Sequence, residues 1–546
     1  MSYTLVCYVD GASRGNPGPA GAGVVVYDGS GRERRTASVF LGETTNNAAE
    51  YAALREALKA AGEVCRQDGV SPGEVFLVIR TDSQLVARQV SGEYRMRSED
   101  LRPLLEAFRQ AARAFRRVDV EHVPRRENRR SDELANQAID RALGGGESGA
   151  SSRSRYSLLE HLECSRCGER ADPAGPAGSC PSCGGPLLAR YALGSLAWPP
   201  GEPGGELAPS ASPERGSMWR YHQLLPVTSP RCVVSLGEGR TPLVPLPGLE
   251  RRLGLPRVWL KDEGRNPTAT FKARGASAAV SKMVELGVSG CILPTAGNAG
   301  SAFAAYTARA GLEFTAVMPE DTPEAIRREC ESYGAGVRVV PGLLPDAARL
   351  AREQAGQGWY RATTFEEPYR VEGKKTIGLE LFEAFGGRWP DAVVCPVGGG
   401  VALVGIWKAA QELAEAGVAG AGRPPRLFAV QAAGCCPVVK AFDEGRQETE
   451  PFSGAETVAA GLRVPAPKAG FLVLRALRET GGGALAVPDE EIIRTAAHLR
   501  RTEGLDLCPE GAAAVAALGE MASRGWLEGC REVVVVNTGS GLKYPR

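Results

Sequence analysis

Residues 1–143 switch between two hydrophobic periods. The run YTLVCYV (3–9) is β-rich and ends at Asp10, and GAGVVVYD and TASVFLG continue as strands, so a meander opens the chain. NNAAEYAALREALKAA then changes to helical spacing. Ala49, Ala53, Leu54, Ala57, Leu58 and Ala61 fall on one face, and Glu50 lies in the first turn. VFLVIRTD is a further strand with Asp82 at its end. VDVEHVP is another, followed by an Arg-rich loop, and Ser131 is expected to cap a helix starting at Asp132. After about residue 231, strands and helices alternate to the end of the sequence.

Two polar stretches interrupt this pattern. GGGESGASSRSR (144–155) reads as a flexible linker, and WPPGEPGGELAPSASPERG (198–216) as a Pro-rich connection. The expected organisation is a domain at 1–143, a linker at 144–155, a cysteine module at 156–195, a connection at 196–230 and a large α/β domain at 231–546.

Composition narrows the function classes. With 43% hydrophobic and 24% charged residues in 546, the chain can bury large cores, which excludes wholesale disorder. The 65 basic and 64 acidic residues leave a net charge of +1, so any nucleic acid must be met by a local patch. No basic leader precedes the first strand, and no apolar run approaches the roughly 18 residues of a membrane span. A cytoplasmic protein with no membrane partner is expected. Its 14 cysteines then suggest metal binding or core packing rather than disulfides.

Acids at strand ends and helix starts can converge on one edge of a sheet. Clustered carboxylates repel one another unless a cation compensates. Hard oxygens suit Mg²⁺, and two such ions can drive phosphodiester cleavage. The segments DGASRGNPGPAG, TTNNAAEYAAL, TDSQLV and HVPRRENRRSDELANQAID resemble type I ribonuclease H, in that family's order. The resemblance implies that Asp10, Glu50, Asp82 and Asp132 bind Mg²⁺ and that His122 assists product release. It also implies cleavage of the RNA strand of an RNA–DNA hybrid, with Asn16 and Asn47 near ribose hydroxyls. Arg125, Arg126, Arg129 and Arg130 would supply the local patch for phosphates.

Cys164-Ser-Arg-Cys167-Gly and Cys180-Pro-Ser-Cys183-Gly are two C-x2-C knuckles separated by twelve residues. Four thiolates offer a closed tetrahedral site for structural Zn²⁺, and a module this small needs such a staple. His161 lies nearby but is not needed as a ligand.

The large domain carries four chemically suggestive segments: NPTATFKARG (266–275), PTAGNAG (294–300), VVCPVGGGV (393–401) and VVVVNTGSGLK (533–543). A Gly-rich turn between strand and helix aims backbone N–H groups at an anion. Together with SLGEGRTPL and PYRVEGKKT, they resemble the pyridoxal-phosphate enzymes of fold type II and, within these, threonine synthase. The resemblance implies that Lys272 forms the Schiff base and Asn298 meets the ring hydroxyl. It places Gly398, Gly399, Gly400, Val401 and Ala402 around the cofactor phosphate and Thr538 at the pyridine nitrogen. The implied reaction converts O-phospho-L-homoserine and water into L-threonine and phosphate, with Arg370, Lys375 and Arg274 as substrate-phosphate contacts. A homodimer through the large domain is also implied.

The sequence departs from the threonine synthase pattern at three places. Ala273 replaces a common Asp, PTAGNAG replaces a Ser/Thr-rich loop, and Glu367 stands where Asn is common. A carboxylate at Glu367 is expected to repel a phosphorylated substrate. A serine/threonine dehydratase or a diaminopropionate ammonia-lyase uses the same cofactor site and is the alternative enzyme. A nucleic-acid-processing protein with a non-catalytic, amino-acid-sensing domain is the alternative of another class, and intact Lys272, Asn298 and Thr538 argue against it. The expected fold class is α/β multidomain: a ribonuclease H-like mixed sheet with helices, a small zinc ribbon and a two-lobed fold type II domain.

Overall fold

A computed structural model describes residues 3–544 apart from 14–16, 97, 99, 125–127, 143–155, 200–215, 256, 343 and 356–358. The linker expected at 144–155, Asn16, Arg125 and Arg126 therefore lie outside the described residues. The chain divides into two units, Met1–Ser151 and Ser152–Arg546.

In the first unit, strands β1 (Tyr3–Ser13), β2 (Gly18–Asp28), β3 (Glu33–Thr44), β4 (Val75–Thr81) and β5 (Arg117–His122) form one sheet in the order β3-β2-β1-β4-β5. β1–β2 and β2–β3 are antiparallel, whereas β1–β4 and β4–β5 are parallel. Leu5, Cys7 and Val9 alternate into the core along β1. Helices α1 (Asn46–Asp68), α2 (Gln84–Ser91), α3 (Arg102–Ala112) and α4 (Arg129–Ala142) accompany the sheet.

Thr45 caps α1 by accepting from the Ala48 N–H, and Gly69 ends it in the left-handed region. The six apolar positions expected to share a face of α1 are all buried. A Cβ on Gly11 would strike the backbone of Ala49 and Glu50, so only glycine lets α1 rest directly on β1. That contact sets Asp10 and Glu50 side by side. α4 begins at Arg129, not at Asp132. The Asn128 carbonyl takes the first helical bond, from the Asp132 N–H, and the Ser131 hydroxyl donates back to Asn128. Asn128 therefore stands at the cap expected of Ser131.

The second unit holds two main sheets. One runs Gly483–Val487, Arg426–Ala432, Ala392–Pro396, Val533–Asn537, Val258–Asp262, Leu243–Pro245, parallel except for the last pair. The other runs Gly336–Val340, Glu313–Pro319, Gly290–Pro294, Tyr360–Arg361, all parallel. The central strand VVVVN is buried throughout, as a parallel strand with both faces covered must be.

The cysteine module folds as a small antiparallel sheet of Arg170–Ala171, Leu159–Cys164 and Leu187–Tyr191. It does not rely on metal alone for a core. Leu162, Leu187, Ala189 and Tyr191 pack in one cluster with Tyr369, Leu379 and Phe382 of the large domain. The stretch 196–230 also differs from a simple connection. Met218, Trp219, Tyr221, Leu224, Leu225 and Val227 are buried, because aromatic and aliphatic residues follow the Pro-rich part. Among the described residues no helix is long and apolar enough to cross a membrane.

Candidate active sites and the cysteine cluster

In the first unit, carboxylate oxygens of Asp10, Glu50 and Asp82 lie within 4.8 Å of one another. β1, the first turns of α1 and the residue after β4 deliver them to the same place. Asp132 is on the first turn of α4 and stands outside this cluster. Three acids so close are stable in charged form only beside a cation, and an all-oxygen donor set fits Mg²⁺.

Asn128 was not anticipated. Fully buried, it donates through Nδ2 to Val9 O at 2.7 Å and to Asp82 Oδ1 at 3.0 Å, tying one acid to the strand that bears another. Its position just before the helix was the available signal. Asn47 and His122 are exposed at the start of α1 and the end of β5. Arg130 is exposed and pairs with Glu133, and the Arg129 side chain is outside the described residues.

The Sγ atoms of Cys164, Cys167, Cys180 and Cys183 also lie within 4.8 Å of one another. Two of the spacings are 3.4 Å (Cys164–Cys183) and 3.6 Å (Cys167–Cys180). Gly168 and Gly184 close the knuckle turns onto the carbonyls of Cys164 and Cys180. Four sulfurs at these spacings fit tetrahedral Zn²⁺.

The third site lies in the second unit. Lys272 opens the helix Lys272–Glu285, Asn298 opens Asn298–Ala310, and Gly398–Gly400 leads into Val401–Glu415. Phe271 N–H donates to Thr538 O at 3.0 Å and Ser540 N–H to Ala269 O at 2.9 Å, which knits the lysine segment to the Thr538 turn. Burial pushes the Lys272 amine down to about 8. The Arg370 cation reinforces this shift and Glu510 opposes it.

The residues fit pyridoxal phosphate on three grounds. Gly400 is left-handed (φ 83°), and Cβ atoms on Gly398 and Gly400 would strike Gly461 and Val473, so the loop needs glycine where it meets the helix N-terminus. Asn298 Oδ1 is buried without a hydrogen-bond partner. Thr538 is buried and reaches Cys508 Sγ at 3.4 Å, another neighbour the sequence did not announce.

The cations sort differently from expectation. Arg274 is fully buried, its guanidinium held by Glu263 and Glu380 at 2.6–2.8 Å. Lys375 is fully buried between Glu372 at 2.6 Å and Glu412 at 2.7 Å. Both are already neutralised by buried carboxylates.

Arg370 remains available. It donates from Nη1 to Ala362 O at 2.6 Å and lies over the Phe303 ring. One turn later, Lys374 rather than Lys375 lies beside Lys272. Its Nζ donates to Lys272 O at 3.2 Å, and it lies 4.9 Å from the centre of the Phe271 ring, which Lys272 Nζ approaches to 4.6 Å. Burial drives the Lys374 amine well down, and the charges of Lys272 and Arg370 add to the effect. Among the described residues no carboxylate pairs with Lys272, Arg370 or Lys374 within 4.0 Å.

Glu367 does not face this space as a repelling charge. Only 1% exposed, it accepts from the N–H groups of Tyr369 (3.1 Å) and Arg370 (2.7 Å) and from the Tyr360 hydroxyl (3.1 Å). It therefore caps the helix that carries Arg370. Burial raises its carboxyl to about 7.

Comparison with known proteins agrees with this geometry. Residues 234–539 match the family model described as pyridoxal-phosphate dependent enzyme, and residues 8–138 match the one described as reverse transcriptase-like. The threonine synthase of Methanocaldococcus jannaschii is 34% identical over 330 residues, covering 60% of this chain and 81% of that protein. The solved structure of a T.th. threonine deaminase is 27% identical, with a TM-score of 0.47, over 55% of this chain and 92% of that one. The structure of LC11-RNase H1, isolated from compost by a metagenomic approach, is 39% identical, with a TM-score of 0.24, over 26% of this chain and all of that one. The chain belongs to the pyridoxal-phosphate dependent enzymes. Its large domain is threonine synthase-like, and its N-terminal domain is ribonuclease H-like.

Proposed function

We propose that the large domain converts O-phospho-L-homoserine and water into L-threonine and phosphate, and that the N-terminal domain cleaves the RNA strand of RNA–DNA hybrids with Mg²⁺. The observation that carries the first reading is the cluster of buried basic side chains, Lys272, Arg370 and Lys374, none of which among the described residues pairs with a carboxylate within 4.0 Å. Burial and mutual repulsion disfavour the charged forms of the two lysines, and a bound anion would restore them. A substrate with a phosphate as well as a carboxylate supplies more negative charge than serine or threonine does.

When bound, pyridoxal phosphate supplies an electron sink conjugated to the substrate's amino group. Lys272 holds the cofactor and, once displaced by the substrate amine, accepts the Cα proton. An amine lowered to about 8 is well matched to this task near neutral pH. Arg370 and Lys374 hold the side-chain phosphate. Lys272 also takes a Cβ proton as the Cγ–O bond breaks and phosphate leaves with its electron pair. Cγ regains a proton to become the methyl group, and water then adds its hydroxyl at Cβ and releases a proton. Lys272 returns the proton to Cα. Asn298, the 398–402 turn and Thr538 would hold the ring hydroxyl, the cofactor phosphate and the ring nitrogen. In the N-terminal domain, Asp10, Glu50 and Asp82 would hold Mg²⁺, which would supply water activation and charge stabilisation at the leaving oxygen.

The test is phosphate release from O-phospho-L-homoserine by the holoenzyme, with threonine identified in the product and Lys272→Ala as control. Lys272-dependent threonine formation supports the reading. Absence of phosphate release with the cofactor bound sinks it and turns the search to elimination from serine, threonine and diaminopropionate. Mg²⁺-dependent cutting of a labelled hybrid, lost in Asp10→Asn, tests the N-terminal activity, and equal cutting by that variant refutes it.

A further inference from the structure

The last described residues fold back onto the cofactor site. After the strand Val533–Asn537 the chain turns through Gly541–Lys543. Lys543 Nζ then donates to Thr268 O at 3.1 Å and pairs with Glu329 at 2.9 Å. Thr268 and Ala269 are both left-handed (φ 57° and 55°), a costly conformation for non-glycine residues that surrounding contacts must hold. Lys543 holds the first through its carbonyl and Ser540 N–H holds the second. The strained turn lies just ahead of Lys272.

Tyr544 follows directly. Its hydroxyl accepts from Asn298 Nδ2 at 3.0 Å, while Asn298 Oδ1 has no partner. The carboxamide is thus gripped from one side only, and its second Nδ2 hydrogen and its oxygen are left for other contacts. Burial, together with the Glu510 carboxylate and the Cys508 thiol, drives the Tyr544 phenol well above its ordinary range, so it stays protonated at working pH. Its oxygen therefore serves Asn298 as a neutral acceptor.

We propose that Tyr544 is a positioning residue for the cofactor: it fixes the rotation of the Asn298 carboxamide that meets the ring hydroxyl, and the Lys543–Glu329 pair fixes Tyr544. The proposal rests on the reading of Asn298 given above. Nothing in it requires that Tyr544 touch the substrate, so it holds for any amino acid the site turns over.

The experiment is a pH titration of the visible absorbance of the bound cofactor, without substrate. It uses the full-length holoenzyme and its Tyr544→Phe, Asn298→Ala, Glu329→Gln and Tyr544→Phe/Asn298→Ala variants. Cofactor retention is followed by borohydride trapping on Lys272 and intact mass. A ring hydroxyl with a loosely held partner keeps its shared proton more tightly, so the midpoint is expected to rise by about half a pH unit or more in Tyr544→Phe. Asn298→Ala should shift it further, and the double variant no further than Asn298→Ala alone. Glu329→Gln, which releases Lys543 away from the ring, should reproduce part of the shift.

A Tyr544→Phe titration that superimposes on the parent overturns the proposal, as do additive shifts in the double variant. An unchanged titration in Asn298→Ala overturns the reading of Asn298 itself. Loss of the cofactor from Tyr544→Phe together with an unshifted Glu329→Gln also counts against the proposal, because the phenol would then be only part of the cavity wall.

Discussion

Lys374→Gln separates substrate binding from folding. Lys374 is 3% exposed, and its Nζ donates to the Lys272 carbonyl. A hydrogen bond to a charged partner contributes about 1.5–3 kcal/mol. Losing one such bond to the substrate phosphate should lower kcat/KM about 10- to 150-fold. The same substitution removes a buried amine that has no carboxylate to compensate it, so the apoenzyme should unfold at the same or a higher denaturant concentration. Lys375→Gln should do the reverse. It strips compensation from buried Glu372 and Glu412, where breaking a buried pair costs about 3–5 kcal/mol, while the folded fraction keeps its kcat/KM. The assays are steady-state phosphate release and urea unfolding of both variants beside the parent. Unchanged kcat/KM in Lys374→Gln, or a loss confined to Lys375→Gln, would falsify the reassignment.

Three further perturbations probe the other contacts. The Glu367 carboxyl is near 7 in the folded protein against an ordinary 4.5, so the folded state holds the extra proton between these values. Stability of the apoenzyme should therefore fall as pH rises from about 4.5 to 7, by a slope that Glu367→Gln removes, and equal slopes in urea titrations would count against the buried setting of this carboxyl. Asn128→Ala removes the tether between Asp82 and β1 and should weaken Mg²⁺ activation by about 10- to 100-fold, read as the Mg²⁺ concentration giving half-maximal hybrid cleavage. An unshifted Mg²⁺ dependence would show that Asn128 only caps its helix. If the four cysteines bind Zn²⁺ as proposed, chelation should lower the melting temperature of the whole large unit, because the ribbon shares a core with Phe382 and Leu379. A large unit that melts as before, with only the ribbon lost, would refute that coupling.

Much of the fold follows from periodicity. The buried face of α1 was legible because its apolar spacing is regular, and VVVVN was legible because strands covered on both faces have no polar alternation. The four cysteines and the three clustered acids were legible because ligand chemistry limits the residue types. The rest depended on helix phase and burial. Lys374 lies four residues after Arg370 and so shares its face, whereas Lys375 is turned about 100° further round. Matching a motif did not apply that geometry. The role of Glu367 was hidden because a carboxylate's effect depends on which N–H groups surround it, and a one-dimensional pattern does not contain them. The helix start at Asn128 was missed because Ser131 is an equally good capping residue type.

The helix Arg370–Ala384 ties these points together. On one side, Glu380 and Thr376 bind Arg274, and Lys261 adds a second cation to Glu380 at 2.7 Å. On another, Glu372 and Lys375 meet Lys408 and Glu412, and the ribbon's Tyr191 donates to Glu372 at 2.9 Å. Buried ion networks are weak contributors to stability but strict about geometry, since each charge left unpaired is costly. A slip of this helix by one residue would break both networks and turn Lys374 away from Lys272. The ribbon adds Arg166 pairing with Glu448 at 2.5 Å and Lys468 donating to Ser179 at 2.6 Å. Its strand therefore braces the helix whose register places the proposed phosphate contacts, and this links a remote cysteine cluster to Lys272.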